Sequence, residues 1–259
     1  MENELLAENI KGGLTTNYIG QEIHYFPLTS STQDEAIIAA ENHAPEGTVT
    51  IAHEQTSGRG RFNRKWIAPP GSTLLLSIIL RPDHAVLPQV VMISALAVAR
   101  AIEETIGEKP SIKWPNDVLL FGKKVCGILV ESASSPNGDS YCISGIGVNI
   151  NLDVMDFSEI AETATSLHLH TNEPLTRLEV VQRLLNAFEF YYEKARNGAP
   201  IINFWKDQLD TIGQRVSATL NDGTVITGTA ESVDKQGSLQ IRLDNGHLEN
   251  VVAGDVTLK

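Results

Sequence analysis

The sequence predicts an α+β fold: a first domain over residues 1–212, followed by a small all-β domain over residues 213–259. Three observations carry this. Strand-like runs succeed one another with helices segregated between them, the pattern of an α+β core. Residues 87–106 place Val90, Ile93, Ser94, Leu96, Ala97, Ala101 and Ile102 at helical spacing, which makes a long buried helix. From Gln214 onward, turn signals recur between short alternating runs, as in a self-contained barrel of about five strands.

Residues 1–22 form a short helical or mixed lead-in. Thr32-x-x-Glu35 is a capping box for a helix running to about Asn42. Residues 47–54 alternate with β-branched positions and form a strand that feeds a basic loop. Residues 72–80 are nearly all apolar, which fits a strand buried on both faces. After the long helix, three strands are predicted at 111–120, 124–132 and 141–151. Their turns fall at Phe121-Gly122-Lys123 and at residues 134–139, a hairpin tip. A second capping box, Thr176-x-x-Glu179, opens a helix through about Arg196, and residues 201–209 start another. The later turns are Asn221-Asp222-Gly223, Lys235-Gln236-Gly237, Asp244-Asn245-Gly246 and Ala253-Gly254-Asp255.

With 42% hydrophobic and 20% charged residues, the 259-residue chain has material for one large core plus a small second domain, and disorder is not indicated. A net charge of −12 argues against broad nucleic-acid binding, which needs a basic face. No apolar run approaches a membrane span, and the Met-Glu-Asn-Glu start is unlike a secretory signal, so the expected compartment is the cytoplasm. Cys126 and Cys142 lie in apolar strand segments and are expected as reduced buried thiols. His168-x-His170 has no third metal ligand nearby in sequence. Phe188, Phe190, Tyr191 and Tyr192 read as helix packing, and Asp207 and Asp210 as solvated helix faces.

Against this acidic background, the stretch from Gln55 to Trp66 sets Arg59, Arg61, Arg64 and Lys65 around Gly58 and Gly60. Glycines let backbone N–H groups approach a ligand, and arginine offers forked donors to phosphate or carboxylate. The arginines have no acidic partners nearby in sequence, so the loop is expected to be mobile until an anion holds it shut. A second cluster, Lys113-Trp114-Pro115-Asn116-Asp117, supplies a point charge, a flat apolar wall, an amide and a carboxylate; its proline places it at an edge or strand end. Lys124 with Gly127 begins the next strand. Gly145-x-Gly147-x-Asn149 follows, its glycines leaving room for a ligand or a close backbone.

The order Ser31-Thr32-Gln33, Gln55…Gly58-Arg59-Gly60-Arg61…Arg64…Trp66, Lys113-Trp114-Pro115-Asn116-Asp117, Lys124…Gly127 and Gly145…Asn149 resembles the biotin protein ligases, over about residues 25–259. The resemblance implies a catalytic domain on a mixed β-sheet backed by helices, the class II synthetase-like biotin/lipoate ligase fold, followed by an SH3-like C-terminal domain. It implies two half-reactions: biotin and ATP give biotinyl-5′-AMP and pyrophosphate, and a lysine of a biotin carboxyl carrier protein then takes the biotinyl group. Mg²⁺, no nucleic acid, no membrane, and a monomer or homodimer complete that expectation.

By the same resemblance, Ser31, Thr32, Gln33, Gln55, Gly58, Arg59, Gly60, Arg61, Lys124 and Gly127 bind biotin. Arg61, Arg64, Trp66, Lys113, Asn116, Lys124, Gly147 and Asn149 bind ATP or the adenylate. Lys124, Arg61 and Asp117 carry the catalytic role, with metal and acid–base functions both open for Asp117. The chemistry agrees, because an anionic carboxylate must attack an anionic α-phosphorus and the site must gather positive charge. Two positions depart from the usual pattern. Gln33 stands where asparagine is frequent. Asn63 replaces a common glycine and, tolerating positive φ, is expected to keep the loop conformation. The first two dozen residues are too few for the winged helix-turn-helix of bifunctional relatives, so the expected class is the monofunctional one. A lipoate–protein ligase and a non-catalytic biotin sensor are the alternatives.

Overall fold

A computed structural model describes residues 4–134, 140–171, 173, 175–220 and 222–258; most of the predicted hairpin tip at 134–139 and the first residue of the Asn221 turn lie outside them. In chain order the elements are α1 (Ala7–Lys11), β1 (Ile23–Thr29), α2 (Thr32–Glu41), β2 (Val49–Gln55), β3 (Thr73–Leu80), α3 (Val90–Ile106), β4 (Ser111–Lys113), β5 (Asp117–Leu120), β6 (Lys123–Ser134) and β7 (Ser140–Asn149). Then follow α4 (Arg177–Arg196), α5 (Ile201–Lys206), β8 (Arg215–Thr219), β9 (Val225–Val233), β10 (Leu239–Arg242), β11 (Leu248–Val251) and β12 (Asp255–Leu258).

The first seven strands form one sheet in the order β1-β2-β3-β7-β6-β5-β4. β1 and β2 are parallel and the remaining neighbours antiparallel, so the sheet is mixed. All eight residues of β3 are buried, as its unbroken apolar run requires. Because side chains alternate across a strand, Leu74, Leu76, Ile78 and Leu80 enter the main core with α3 and α4, whereas Ile79 joins Ala36 and Ala40 of α2 on the other face. Helices thus cover both faces. The last five strands form a separate antiparallel sheet in the order β11-β10-β9-β8-β12, as the closely spaced turns predicted.

Four local expectations change. The predicted strand over 111–120 is a hairpin, β4 and β5, because Trp114-Pro115-Asn116 makes a turn with a cis Trp114–Pro115 bond. The α2 cap is Ser31, whose Oγ accepts the Gln33 N–H at 3.3 Å; the Thr32 and Glu35 side chains bond instead to Ser77 Oγ (2.9 Å) and Thr29 Oγ1 (2.6 Å). The long helix starts at Val90, after a 3₁₀ turn holding Pro88. Asp210 lies beyond α5, its N–H bonded to Ile112 O at 2.9 Å. Thr176 caps α4 as predicted, accepting Glu179 N–H at 3.3 Å, while the Glu179 carboxylate of the predicted box pairs with Arg183 at 2.6 Å. Cys126 and Cys142 are free and buried. Burial pushes both thiols up, Cys142 to about 12, which leaves them inert.

The two sheets are fastened by Trp114. Its indole is buried, Nε1 donates to Gly237 O at 2.8 Å, and its backbone N–H donates to Thr211 Oγ1 at 2.9 Å. Gly237 sits at φ 86, where a side chain would be strained, with the end of the Met92 side chain of α3 packed against it. The tryptophan read as a flat wall for a ligand is therefore a packing residue. Replacing it by phenylalanine removes a buried hydrogen bond and opens a small void. Trp114→Phe should lower unfolding free energy by about 1–3 kcal/mol in urea titration; an unchanged midpoint would show that the indole does not hold the sheets together.

Candidate active site

Strand alternation also builds a cleft of about 660 Å³ on the α2 side of the main sheet. The β3 residues that point away from α3 and α4 include Leu75 and Ser77, and their partners across the ladder are Gly147 and Gly145 of β7. Gly147 pairs in turn with Gly127 of β6, and Gly127 with Asp117 of β5. A row of positions thus crosses four strands with two adjacent side chains missing. The indole of Trp66 fills that gap: a Cβ at Gly127 or Gly147 would stand 2.8 or 2.7 Å from its ring. At Gly145 a Cβ would strike the Gln33 amide. The glycines, expected to leave room for a ligand or backbone, admit these two protein side chains.

One end of the cleft is lined by neutral polar groups. Gln55 Oε1 accepts the Thr32 N–H at 2.7 Å; Thr32 Oγ1 lies 2.9 Å from Ser77 Oγ, which lies 3.1 Å from Gln33 Oε1. Ser31, Thr32, Gln33 and Ser77 are all buried. Sequence reading missed Ser77, although a serine inside the otherwise apolar run Leu-Leu-Leu-Ser-Ile-Ile-Leu was a usable signal.

The basic loop closes over the cleft as a hairpin, with Gly60 N–H to Arg64 O at 2.8 Å and Trp66 N–H to Gly58 O at 2.9 Å. Its left-handed residue is Phe62 (φ 56), not Asn63. The arginines do have acidic partners, brought from far away in sequence: Arg59 meets Asp34 at 2.7 Å and Glu131 at 3.5 Å, and Arg64 meets Asp255 at 2.6 Å. Arg61 Nη1 donates to Asn116 Oδ1 at 3.1 Å. Burial lowers the Arg61 pKa from its ordinary value, against the opposing charges of Asp255 and Asp117.

At this cationic end Lys124 Nζ lies 2.6 Å from Asp117 Oδ1, and Lys113 Nζ 3.9 Å from Asp117 Oδ2. The Lys124 backbone is clamped by Thr163 O at 2.9 Å and Thr165 N at 2.8 Å, and its ammonium lies 5.5 Å from the Trp66 ring centre. Asn149 Nδ2 donates to Thr165 O at 3.1 Å, while its buried Oδ1 and the buried Nε1 of Trp66 have no hydrogen-bond partner among the described residues. His170 bonds Thr165 Oγ1 at 2.8 Å. No group of three or more His, Cys, Asp or Glu suited to a metal occurs among the described residues.

Every residue predicted for the site lines this cleft except Gly58, which is buried behind it, 2.9 Å as an added Cβ from Gln55 Nε2. Sequence reading did not find Asp255, Val256 and Thr257 of β12, nor Ile160, Glu162 and Thr163. Short segments distant in sequence carry no local signal of convergence. Nor did it find the buried Arg177, which pairs with Glu4 at 2.6 Å and reaches His53 Nδ1 at 3.1 Å behind β2.

The arrangement suits an elongated ligand with a neutral polar head, an apolar middle against Trp66 and Leu75, and an anionic end among lysines and arginines. It depends on the seat of Trp66. Gly147→Ala should keep the fold by circular dichroism yet shift tryptophan emission, since overpacking of about 1–3 kcal/mol displaces the indole. Unchanged emission from the variant would refute that seating.

Comparison with known proteins bears on this cleft directly. Residues 25–151 match the model of the biotin/lipoate A/B protein ligase family, and residues 211–259 that of the biotin protein ligase C terminal domain. The bifunctional ligase/repressor BirA of Bacillus subtilis is 37% identical over 260 residues, covering 98% of this chain and 79% of that protein. The biotin--[acetyl-CoA-carboxylase] ligase of Paracoccus denitrificans is 34% identical, covering 83% of this chain and 91% of that one. The biotin protein ligase of Aquifex aeolicus in complex with biotin and ATP superposes with a TM-score of 0.78 at 28% identity, covering 92% of this chain and 99% of the other. Matched along nearly its whole length, with the cleft formed where both family segments meet, the chain belongs to the biotin protein ligase family.

Proposed function

We propose that the protein is an ATP-dependent biotin–protein ligase that makes biotinyl-5′-AMP and passes the biotinyl group to a lysine of a biotin carboxyl carrier protein. The observation that carries this reading is the polarity of the cleft, a neutral hydrogen-bonding end joined through Trp66 to a cationic end. A ureido ring with an acyl chain and a carboxylate has that sequence of chemistries. The relatives' names and the Aquifex aeolicus complex with biotin and ATP support it. The proposed division is a catalytic domain over 1–212 and a C-terminal domain over 213–259. The protein acts in the cytoplasm as a monomer or homodimer, without nucleic acid or membrane; no helix among the described residues is long and apolar enough to cross a membrane.

In the first step a carboxylate oxygen attacks the α-phosphorus and pyrophosphate leaves. Lys124 and Arg61 lower the repulsion between the two anions, and Lys124 is placed by the clamp at Thr163 and Thr165. Trp66, seated over Gly147, holds the nucleotide together with Lys113, Asn116 and Asn149, and Arg64 exchanges Asp255 for phosphate. Among the described residues there is no protein-only metal cage, so Mg²⁺, where it takes part, would be held chiefly by the phosphates of ATP. In the second step the acceptor amine attacks the acyl carbon and AMP leaves. We assign to Asp117, 2.6 Å from the Lys124 ammonium, the role of taking the proton that the attacking amine loses as the C–N bond forms.

Biotin-dependent release of pyrophosphate from ATP tests the reading, and a larger thermal shift with lipoate than with biotin would transfer it to the lipoate class. Lys124→Ala should fold normally and lose about two orders of magnitude or more in adenylation, read as pyrophosphate release; near-normal release would remove Lys124 from the mechanism. Arg61→Gly should form adenylate more slowly, through Lys124, but let it escape, so that a bystander lysine-rich protein becomes biotinylated on a streptavidin blot. Labelling no greater than that of the wild type would refute the retention role of the loop.

A further inference from the structure

The polar end of the cleft contains a chain of three side chains whose hydrogen-bond directions are determined by its far end. Gln33 Nε2 lies 3.4 Å from Ile143 O, a carbonyl that only accepts, which orients the amide with Oε1 toward Ser77 Oγ at 3.1 Å. Ser77 has one hydroxyl proton, and an amide oxygen can receive it but not return it. Ser77 therefore donates to Gln33 and must accept from Thr32 Oγ1, 2.9 Å away. The Thr32 proton is consumed inside the protein. What Thr32 Oγ1 has left for the cleft is a lone pair. The whole chain is buried, with Thr32 at 4%, Gln33 at 3% and Ser77 at 0% exposure, so water does not scramble it. The missing side chain at Gly145 leaves the space that the amide occupies in this pose, since a Cβ there would crowd Gln33 Oε1.

We propose that Gln33 and Ser77 are positioning residues that make Thr32 a hydrogen-bond acceptor and thereby select ligands presenting an N–H at that point. This rests on the reading of the cleft as a biotin site and refines it. Gln33, assigned by resemblance to contact with the biotin head, has both amide atoms engaged within the protein and acts through Thr32. A ureido ring offers an N–H where a cyclic carbamate with oxygen in that place offers only lone pairs, which Thr32 would repel. The same polarity disfavours a dithiolane head, which has no N–H at all.

The test is calorimetric titration of the whole protein with biotin, with each of the two cyclic carbamates that replace one ureido N–H by oxygen, and with ATP. In the wild type, one carbamate should bind at least about tenfold more weakly than biotin, the effect of losing one well-made buried hydrogen bond. Gln33→Leu removes the acceptor and Ser77→Ala cuts the chain, so in both Thr32 regains a proton to donate. Each should weaken biotin and strengthen that carbamate, reducing the preference to about threefold or less, with ATP affinity within twofold. Ser77→Ala decides the matter if Gln33→Leu does not fold. A preference unchanged in a folded variant overturns the proposal, as does an equal loss for biotin, carbamate and ATP, the mark of a merely structural role. Failure of the wild type to bind biotin would overturn the functional reading itself.

Discussion

The contact between the Trp66 indole and the side-chainless pair Gly127 and Gly147 is the constraint on which the rest of the site depends. The two glycines face each other across β6 and β7, with Leu75 and Asp117 completing the row on either side. A flat ring can lie on a sheet only where no Cβ rises from it. Once seated, the ring fixes the C-terminal end of the basic hairpin through the Trp66 N–H to Gly58 O bond, and it gives Lys124 a face to lie against. The glycine stripe thus positions a cationic loop and a cationic strand residue relative to each other with one side chain.

Magnitudes separate what holds the site from what moves in it. Trp114 is buried and bonded to Gly237, so it belongs with the large packing energies that keep the second sheet in place. The ion pairs of the loop, Arg59 with Asp34 and Arg64 with Asp255, join partly exposed groups. Pairs of that kind contribute about 0–1 kcal/mol each. The loop is therefore tethered weakly enough for an anionic ligand to replace Asp255 or Asp34 as the partner of an arginine, while the wall that carries Asp255 stays put.

Much of this was legible in the sequence, for identifiable reasons. The buried strand over 73–80, the helix begun by Thr176 and the separate C-terminal strands follow from periodicity and turn chemistry, which act over a few residues. The residues of the basic loop and of Lys113 to Asp117 declared themselves by composition. What failed was anything decided by partners far away. Trp114 looked like a ligand wall because nothing local reveals Gly237, 123 residues on, as its acceptor. Thr32 looked like a helix cap because Ser77, which takes its hydroxyl, lies 45 residues downstream. The arginines looked unpaired because Asp34, Glu131 and Asp255 converge on them only in the fold.

The distribution of charge then sets which way a ligand enters. The end of the cleft formed by Ser31, Thr32, Gln33 and Ser77 is buried, with the nearby Arg59 paired to Asp34 and Glu131, whereas Lys113, Lys124 and Arg64 remain partly exposed. Moving an unpaired charge into the buried end would cost several kcal/mol, whereas a neutral polar head loses little if each of its hydrogen bonds is remade. A carboxylate tail has the opposite preference, since the cations gain from it and water still reaches them. On the proposed function, the head goes in first and the carboxylate stops beside Lys124, where a nucleotide phosphate can share the same charges. Orientation, and with it the choice of which bond forms, follows from dielectric contrast along a single cleft.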